Sequence, residues 1–293
     1  MRMRAIEYLP GMASVIDRYD ALLLDQWGVL HDGGQPYPGA IDCLARLWAA
    51  GKTVVILSNS GRTGEENARF IERIGFDRGL FSEVISAGDD ARDAVLTSDD
   101  PFYRRLGKRC LVLARERDTD LVDGLGLEVV ADVEKAEFLF ALSIDAPRQS
   151  VRGWEAVMAR AAARGLPMVC GNPDLAQVTP EGALLEAVGL LAVRYAELGG
   201  EVRSHGKPSP RIYETCLRRV SCPRERIVAV GDSLHHDVLG ANGVGLASIL
   251  VASGVHRDEL GIAFGETPDP ARCAVLFEQA GAVPDHVVPS FRW

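Results

Sequence analysis

The chain has 293 residues, 47% hydrophobic and 25% charged, the usage of an ordinary globular protein with one large or two medium domains. Its 32 Lys and Arg stand against 41 Asp and Glu, a net charge of -9 that serves solubility, and with no dense basic run a nucleic-acid partner is excluded. No apolar run reaches the roughly 18 residues of a membrane span, the N-terminus has no apolar h-region, and Cys43, Cys110, Cys170, Cys216, Cys222 and Cys273 show neither CxxC nor histidine-clustered spacing; a cytoplasmic, reduced protein without structural zinc is expected.

Strands and helices alternate along the chain. Residues 22–24 read as a strand, and 39–50 as an amphipathic helix with Ile41, Leu44, Leu47 and Trp48 on one side. A strand at 54–57, a helix at 65–74 closed by Gly75, a short strand at 84–86 and a helix at 89–96 follow, with Asp89 placed as N-cap. This rhythm predicts a doubly wound parallel sheet of the α/β class. The middle of the chain changes character: a strand at 110–114, the segments 118–126, 127–130 and 138–143, a helix at 151–164, a strand at 167–170 and a long apolar helix at 181–198. Leu184, Leu185, Val188, Leu191, Ala192 and Tyr195 give that last helix its apolar face. A helix at 210–219, a strand at 227–230, a helix at 238–242 and a strand at 247–251 then resume the first pattern. The expected organisation is a core made of 1–89 and 204–293, with 90–203 inserted as a second α/β domain.

The run from Ala21 through Leu24 leads straight into Asp25, with Gly28 three positions on. A buried strand ending in an exposed acid belongs at the carboxyl edge of a parallel sheet, where α/β proteins bind ligands. The pattern recurs as the apolar run 227–230 followed by Gly231, Asp232 and, five residues later, Asp237. One sheet edge brings Asp25, Asp232 and Asp237 together, and three carboxylates in one crevice call for a cation; oxygen-only ligands suit Mg²⁺. Asp25 has the placement of a carboxylate nucleophile. The turn Ser58-Asn59-Ser60-Gly61-Arg62 suits an anion through its hydroxyls and backbone N–H groups, or is a plain helix-capping turn. Lys207 lies on a proline-flanked loop before a helix, able to pair with Asp25 and a phosphoryl group. Asn172-Pro173-Asp174 either lines the entrance of the site or is a plain turn with an Asx hydrogen bond.

Taken in order, Asp25, Ser58, Lys207 after a long insertion, and Gly231-Asp232-Ser233 with Asp237 resemble the motifs of the haloacid dehalogenase (HAD) superfamily. Gly171-Asn172-Pro173-Asp174 and Gly206-Lys207-Pro208-Ser209-Pro210 resemble those of its NagD-like branch, in which a large cap of the C2 type is inserted. The resemblance covers nearly the whole chain and implies a Rossmann-like core, an α/β cap and phosphomonoester hydrolysis. It implies that Asp25 is nucleophile and Mg²⁺ ligand, that Ser58 and N–H groups near Asn59 bind the phosphoryl group, and that Lys207 neutralises charge. Asp232 and Asp237 would hold Mg²⁺, joined by the backbone carbonyl of Trp27. Asn59, Ser60, Arg62, Asn172 and Asp174 would meet a small phosphorylated metabolite, and a homodimer through the cap is a compatible assembly.

One position departs from the family. Its phosphatases carry a second aspartate two residues after the nucleophile, as acid and base for the leaving group; here that position is Trp27, and indole does neither at neutral pH. Three readings follow: a phosphatase with a missing or relocated acid, for which His31 and Asp32 on the adjoining loop are candidates, with His31 read as a surface residue; a phosphometabolite-binding protein with little or no turnover; and a dehalogenase-type hydrolase, against which the retained metal motif argues. His235 and His236 read as surface residues of the acidic loop.

Overall fold

The computed structural model describes residues 6–115, 122–178 and 184–293. They divide into two compact units, the first made of the chain up to Ser58, Ala68–Ile85 and Lys207–Trp293, the second of Asn59–Asn67 and Ser86–Gly206. Residues 59–67, which the sequence assigns to the core, thus cluster with the second unit.

The first unit is built on seven strands: Glu7–Tyr8 (β1), Ala21–Leu24 (β2), Thr53–Ser58 (β3), Glu83–Ser86 (β4), Ile227–Gly231 (β5), Ala247–Val251 (β6) and His286–Val288 (β7), in the spatial order β1-β7-β6-β5-β2-β3-β4. The central pairs are parallel, with Leu24 opposite both Val230 and Ile56. Alternate residues feed two cores. Leu22, Leu24, Val54, Ile56, Val228 and Val230 face one side, against Cys43, Leu44 and Leu47 of the helix Ala40–Ala49. Leu23, Val55, Leu57 and Ala229 face the other, against Ile212, Tyr213 and Cys216 of the helix Pro210–Leu217. Both faces being covered, the strands read as continuous apolar runs rather than alternating ones. The result is the doubly wound α/β architecture expected.

The second unit carries a five-stranded parallel sheet in the order Val202–Ser204, Met168–Cys170, Phe138–Ala141, Arg109–Leu113, Glu128–Val129. It too is covered on both faces: Leu139 and Ala141 pack with Met158, Leu191 and Tyr195, while Phe138 and Phe140 pack with Ala91 and Phe102.

Several sequence expectations are corrected. The buried arc of the helix Ala40–Ala49 is Ala40, Cys43, Leu44 and Leu47; Trp48 is 60% exposed and Ile41 lies on the same outer side. The helix expected at 89–96 is Ala87–Thr97 with Ser86 as N-cap, and Asp89 closes a capping box from the third position. The span 151–164 splits into a 3₁₀ turn, Val151–Trp154, and a helix, Glu155–Ala163. The long helix at 181–198 is a helix only over Gly189–Glu197; Leu184–Glu186 instead pairs antiparallel with Ala176–Val178. At the helix start Gly189 donates to the Asp174 carbonyl at 2.8 Å, and a Cβ there would collide with the carbonyls of Pro173 and Asp174. Val188, Leu191, Ala192 and Tyr195 are buried as expected and Leu185 is half-buried. Residues 181–183 of that span, the Leu184 side chain and residues 118–121 lie outside what is described. Among the described residues no helix is long and apolar enough to cross a membrane. All six cysteines are free, five of them buried.

Candidate active site

The register of β2 and β5 makes the site. The Asp25 N–H donates to the Val230 carbonyl at 2.8 Å, so Asp25 stands beside the end of β5, and Asp232 follows Gly231 at the same edge. The next segment, Leu234–Val238, coils as a single π-helical turn and returns Asp237 to the edge. Oxygens of Asp25, Asp232 and Asp237 all lie within 4.8 Å of one another, and the three side chains are buried. Lys207, 2% exposed, donates from Nζ to Asp25 Oδ1 at 2.6 Å and to Asp237 Oδ1 at 2.7 Å. Two further carboxylate oxygens meet backbone: Val255 N–H donates to Asp232 Oδ2 at 2.7 Å, and Ser233 N–H to Asp237 Oδ2 at 3.1 Å. Tyr213 steadies the turn from below, its hydroxyl donating to the carbonyls of His236 and Asp237 at 3.0 and 3.2 Å.

Glycines make room for this density. Gly28 has φ of 83°, a left-handed conformation, and a Cβ there would overlap the Asp232 carboxylate. Gly254 faces Asp232 from the other side and Gly231 faces Asp237 as closely.

Charge is unbalanced in this space. Burial, ahead of the repulsion from Asp237 and against the pull of Lys207, raises the Asp25 carboxyl to about 7. Burial, followed by the charges of Asp25 and Asp237, raises Asp232 well above the usual carboxylate range. Burial opposes the charge of Lys207, but the carboxylates of Asp237 and Asp25 outweigh it and hold the ammonium protonated. Among the described residues one ammonium bonds this cluster of three carboxyl groups, an oxygen-only donor set that fits a small hard divalent cation.

The other sequence candidates fall into two groups. Ser58 is buried at the end of β3, beside β2 in the same unit. In the second unit, Asn59 Nδ2 donates to Asp174 Oδ1 at 2.7 Å, and the Asp174 N–H donates to Asn172 Oδ1 at 3.0 Å, the expected Asx turn. Ser60 Oγ accepts the Arg62 N–H at 3.2 Å, which caps that turn locally.

Trp27 is half-buried, its ring edge-on to His31 with centroids 5.4 Å apart, and Gly33 lies against the indole. The expectation of a surface His31 is wrong. The residue is fully buried, with Phe70 edge-on at 5.4 Å, and its Nδ1 accepts the Gly33 N–H at 3.0 Å. Burial lowers its pKa to about 4, so the ring is neutral and holds the loop rather than serving as an acid. Asp32 is spent in the same loop, Oδ1 accepting the N–H groups of Gly34 and Gln35 at 2.8 Å each. His235 is exposed and His236 half-buried, their rings in edge contact. Sequence reasoning missed Tyr213, Gly254 and Val255; the Ser253-Gly254 pair directly after a strand is the signal that could have found the last two.

A parallel sheet with an acidic pocket at its carboxyl edge is the build of an α/β enzyme. Family models described as haloacid dehalogenase-like hydrolase match residues 22–128 and 96–245, and a HAD-hydrolase-like model matches 204–292. The chain belongs to the haloacid dehalogenase-like hydrolases. Among curated relatives, the D-glycerol 3-phosphate phosphatase of Mycobacterium tuberculosis is 27% identical over 84% of this chain and 66% of its own length. The chain thus spans just under two thirds of that relative. The ribonucleotide monophosphatase NagD of Escherichia coli is 28% identical over 80% of this chain and 88% of its own, in keeping with the NagD-like branch. A haloacid dehalogenase-like hydrolase from Brucella suis superposes with a TM-score of 0.80 at 27% identity, covering 96% and 98% of the two chains. A Mycobacterium tuberculosis glycerol phosphate phosphatase solved with magnesium superposes with a TM-score of 0.62 at 25% identity, over 87% and 75%.

Proposed function

We propose that the chain is a Mg²⁺-dependent phosphomonoester hydrolase that acts on a small phosphorylated metabolite through an aspartyl-phosphate on Asp25. The observation that carries this reading is the single ammonium of Lys207 bound to two of three clustered, buried carboxylates. Asp25, Asp232 and Asp237, with the backbone carbonyl of Trp27, would hold the ion. When bound, Mg²⁺ supplies the positive charge that screens an attacking carboxylate from a phosphate dianion. The phosphatase activities for which the mycobacterial and NagD relatives are named, and the magnesium in the mycobacterial structure, support the same reading.

The chain's own groups divide the work. An oxygen of Asp25 bonds to phosphorus as the bond from phosphorus to the leaving oxygen breaks. Lys207, protonated and fixed on Asp25 Oδ1, orients the nucleophile and balances the charge that gathers on the phosphoryl oxygens. Ser58 and N–H groups near Asn59 bind those oxygens. Water then attacks phosphorus, releasing phosphate and restoring the Asp25 carboxylate. The second unit corresponds to the inserted cap of the family, Asn59, Ser60, Arg62, Asn172 and Asp174 are its candidate substrate-binding residues, and the cytoplasm is the proposed site of action.

Trp27 supplies no proton to the leaving oxygen, and His31 and Asp32 are committed to their loop. Positioned proton transfer is worth about 10²–10⁴ in rate, so the enzyme favours esters whose alkoxide leaves unaided. The test is phosphate release from a panel of phosphomonoesters, with p-nitrophenyl phosphate as reference, with and without Mg²⁺. Mg²⁺-dependent turnover is expected, lost at least about 10³-fold in Asp25→Asn. Trp27→Asp is expected to raise turnover of alkyl phosphates more than of p-nitrophenyl phosphate. Ligand binding by thermal shift with no turnover on any ester would favour the non-catalytic binder, and activity that survives EDTA would favour the dehalogenase type.

A further inference from the structure

The loop at residues 252–256, between β6 and the short helix Arg257–Leu260, grips the acidic turn at two adjacent points. The Val255 N–H donates to Asp232 Oδ2 at 2.7 Å, and the next residue, His256, accepts the Leu234 N–H on Nε2 at 3.2 Å. Leu234 opens the turn Leu234–Val238 that carries Asp237. Its N–H is one of the donors that a first helical turn leaves without an internal acceptor. The approach is close enough that Gly254 leaves no room for a Cβ beside Asp232. Behind the ring, Glu259 Oε2 lies 2.5 Å from His256 Nδ1, on the short helix Arg257–Leu260. With Nε2 accepting, the ring proton sits on Nδ1, and the Glu259 carboxylate fixes that tautomer.

We infer that His256 is a positioning residue for the Asp232–Asp237 carboxylate pair, held in its accepting tautomer by Glu259. The inference depends on the Mg²⁺ site proposed above. His256 itself is no member of the carboxylate cluster; it acts through the backbone between two of its members. Without the Nε2 acceptor, the Leu234 N–H turns to water and the spacing of Asp232 and Asp237 loosens. Outer hydrogen bonds of this kind change metal affinity by about 10–100-fold.

The experiment is a calorimetric Mg²⁺ titration of the full chain, paired with amide hydrogen exchange at Leu234 in the metal-free protein. It compares wild type, His256→Ala, His256→Gln and Glu259→Ala. His256→Ala is expected to weaken Mg²⁺ about tenfold and to speed exchange at Leu234. His256→Gln, whose side-chain oxygen also accepts, is expected to stay within about threefold of wild type. Glu259→Ala, at a side chain that is 61% exposed, should fall between them with an unchanged melting temperature. Wild-type affinity in His256→Ala, or equal losses in the Ala and Gln variants, would overturn the inference alone. A wild-type chain that takes up no Mg²⁺ would overturn the metal site and the inference with it.

Discussion

Two buried clusters of ionisable groups, one in each unit, answer to different rules. In the second unit His205 Nδ1 lies 2.7 Å from Asp90 Oδ2 and its Nε2 lies 2.8 Å from the Tyr103 hydroxyl. One carboxylate, one imidazole and one hydroxyl use each other's donors and acceptors. Among the described residues of the first unit, three carboxyl groups share one ammonium, and burial pushes two of them up in pKa. A balanced cluster is a fastening; an unbalanced one is a socket. The contrast marks the first cluster as the candidate site.

The comparison can be broken at three points. The largest effect is expected from Lys207→Met, which strips the acidic cluster of its counter-charge. Phosphate release should fall at least about a hundredfold. The metal-free protein should lose about 3–5 kcal/mol at pH 8, where the abandoned carboxylates are pressed to ionise, and less at pH 5. A denaturant series at the two pH values reads the difference, and an unchanged midpoint at pH 8 would remove the charge imbalance as a cause.

Next comes pH itself. The Asp25 carboxyl is raised from 3.8 to about 7. A raised acid favours the folded state below its unfolded value, and that contribution is lost as pH rises through the folded value. The metal-free melting temperature should therefore fall between pH 5 and pH 8. Mg²⁺, which needs ionised ligands, should raise the melting temperature more at pH 8 than at pH 5. A flat profile, or a Mg²⁺ shift that shrinks toward pH 8, contradicts the assignment.

The smallest effect belongs to the balanced cluster. Asp90→Asn leaves the His205 ring without its charged partner and should cost about 1–3 kcal/mol of stability. Its Mg²⁺ affinity by calorimetry should match wild type; a loss there would mean that the two clusters are not independent.

Much of this was legible in the sequence, and the exceptions have physical causes. Apolar runs ending in Asp25 and in Gly231-Asp232 announced the sheet edge because strands covered on both faces must be apolar throughout. β1 and β7, with two and three residues, are too short to show a period. Trp48 misled because its size suggested burial, whereas the arc facing the core is filled by Cys43, Leu44 and Leu47. His31 opens the turn-like run Asp32-Gly33-Gly34-Gln35, which suggests a surface loop, and the Phe70 that walls it in is remote in sequence. The hairpin before Gly189 is set by contacts with the turn at Pro173 and Asp174, which local apolarity does not encode.

The pairing of Leu24 with Val230 also orders events during synthesis. Asp25 leaves the ribosome early, yet the strand beside it, β5, and the acids Asp232 and Asp237 are made only after the whole second unit. Until then one long edge of β2 has no partner, and a nascent chain with its backbone open at that edge is a candidate for wrong pairing or chaperone capture. The acidic cluster is therefore completed late, and a chain cut short before β5 carries Asp25, Ser58 and Lys207 but neither Asp232 nor Asp237.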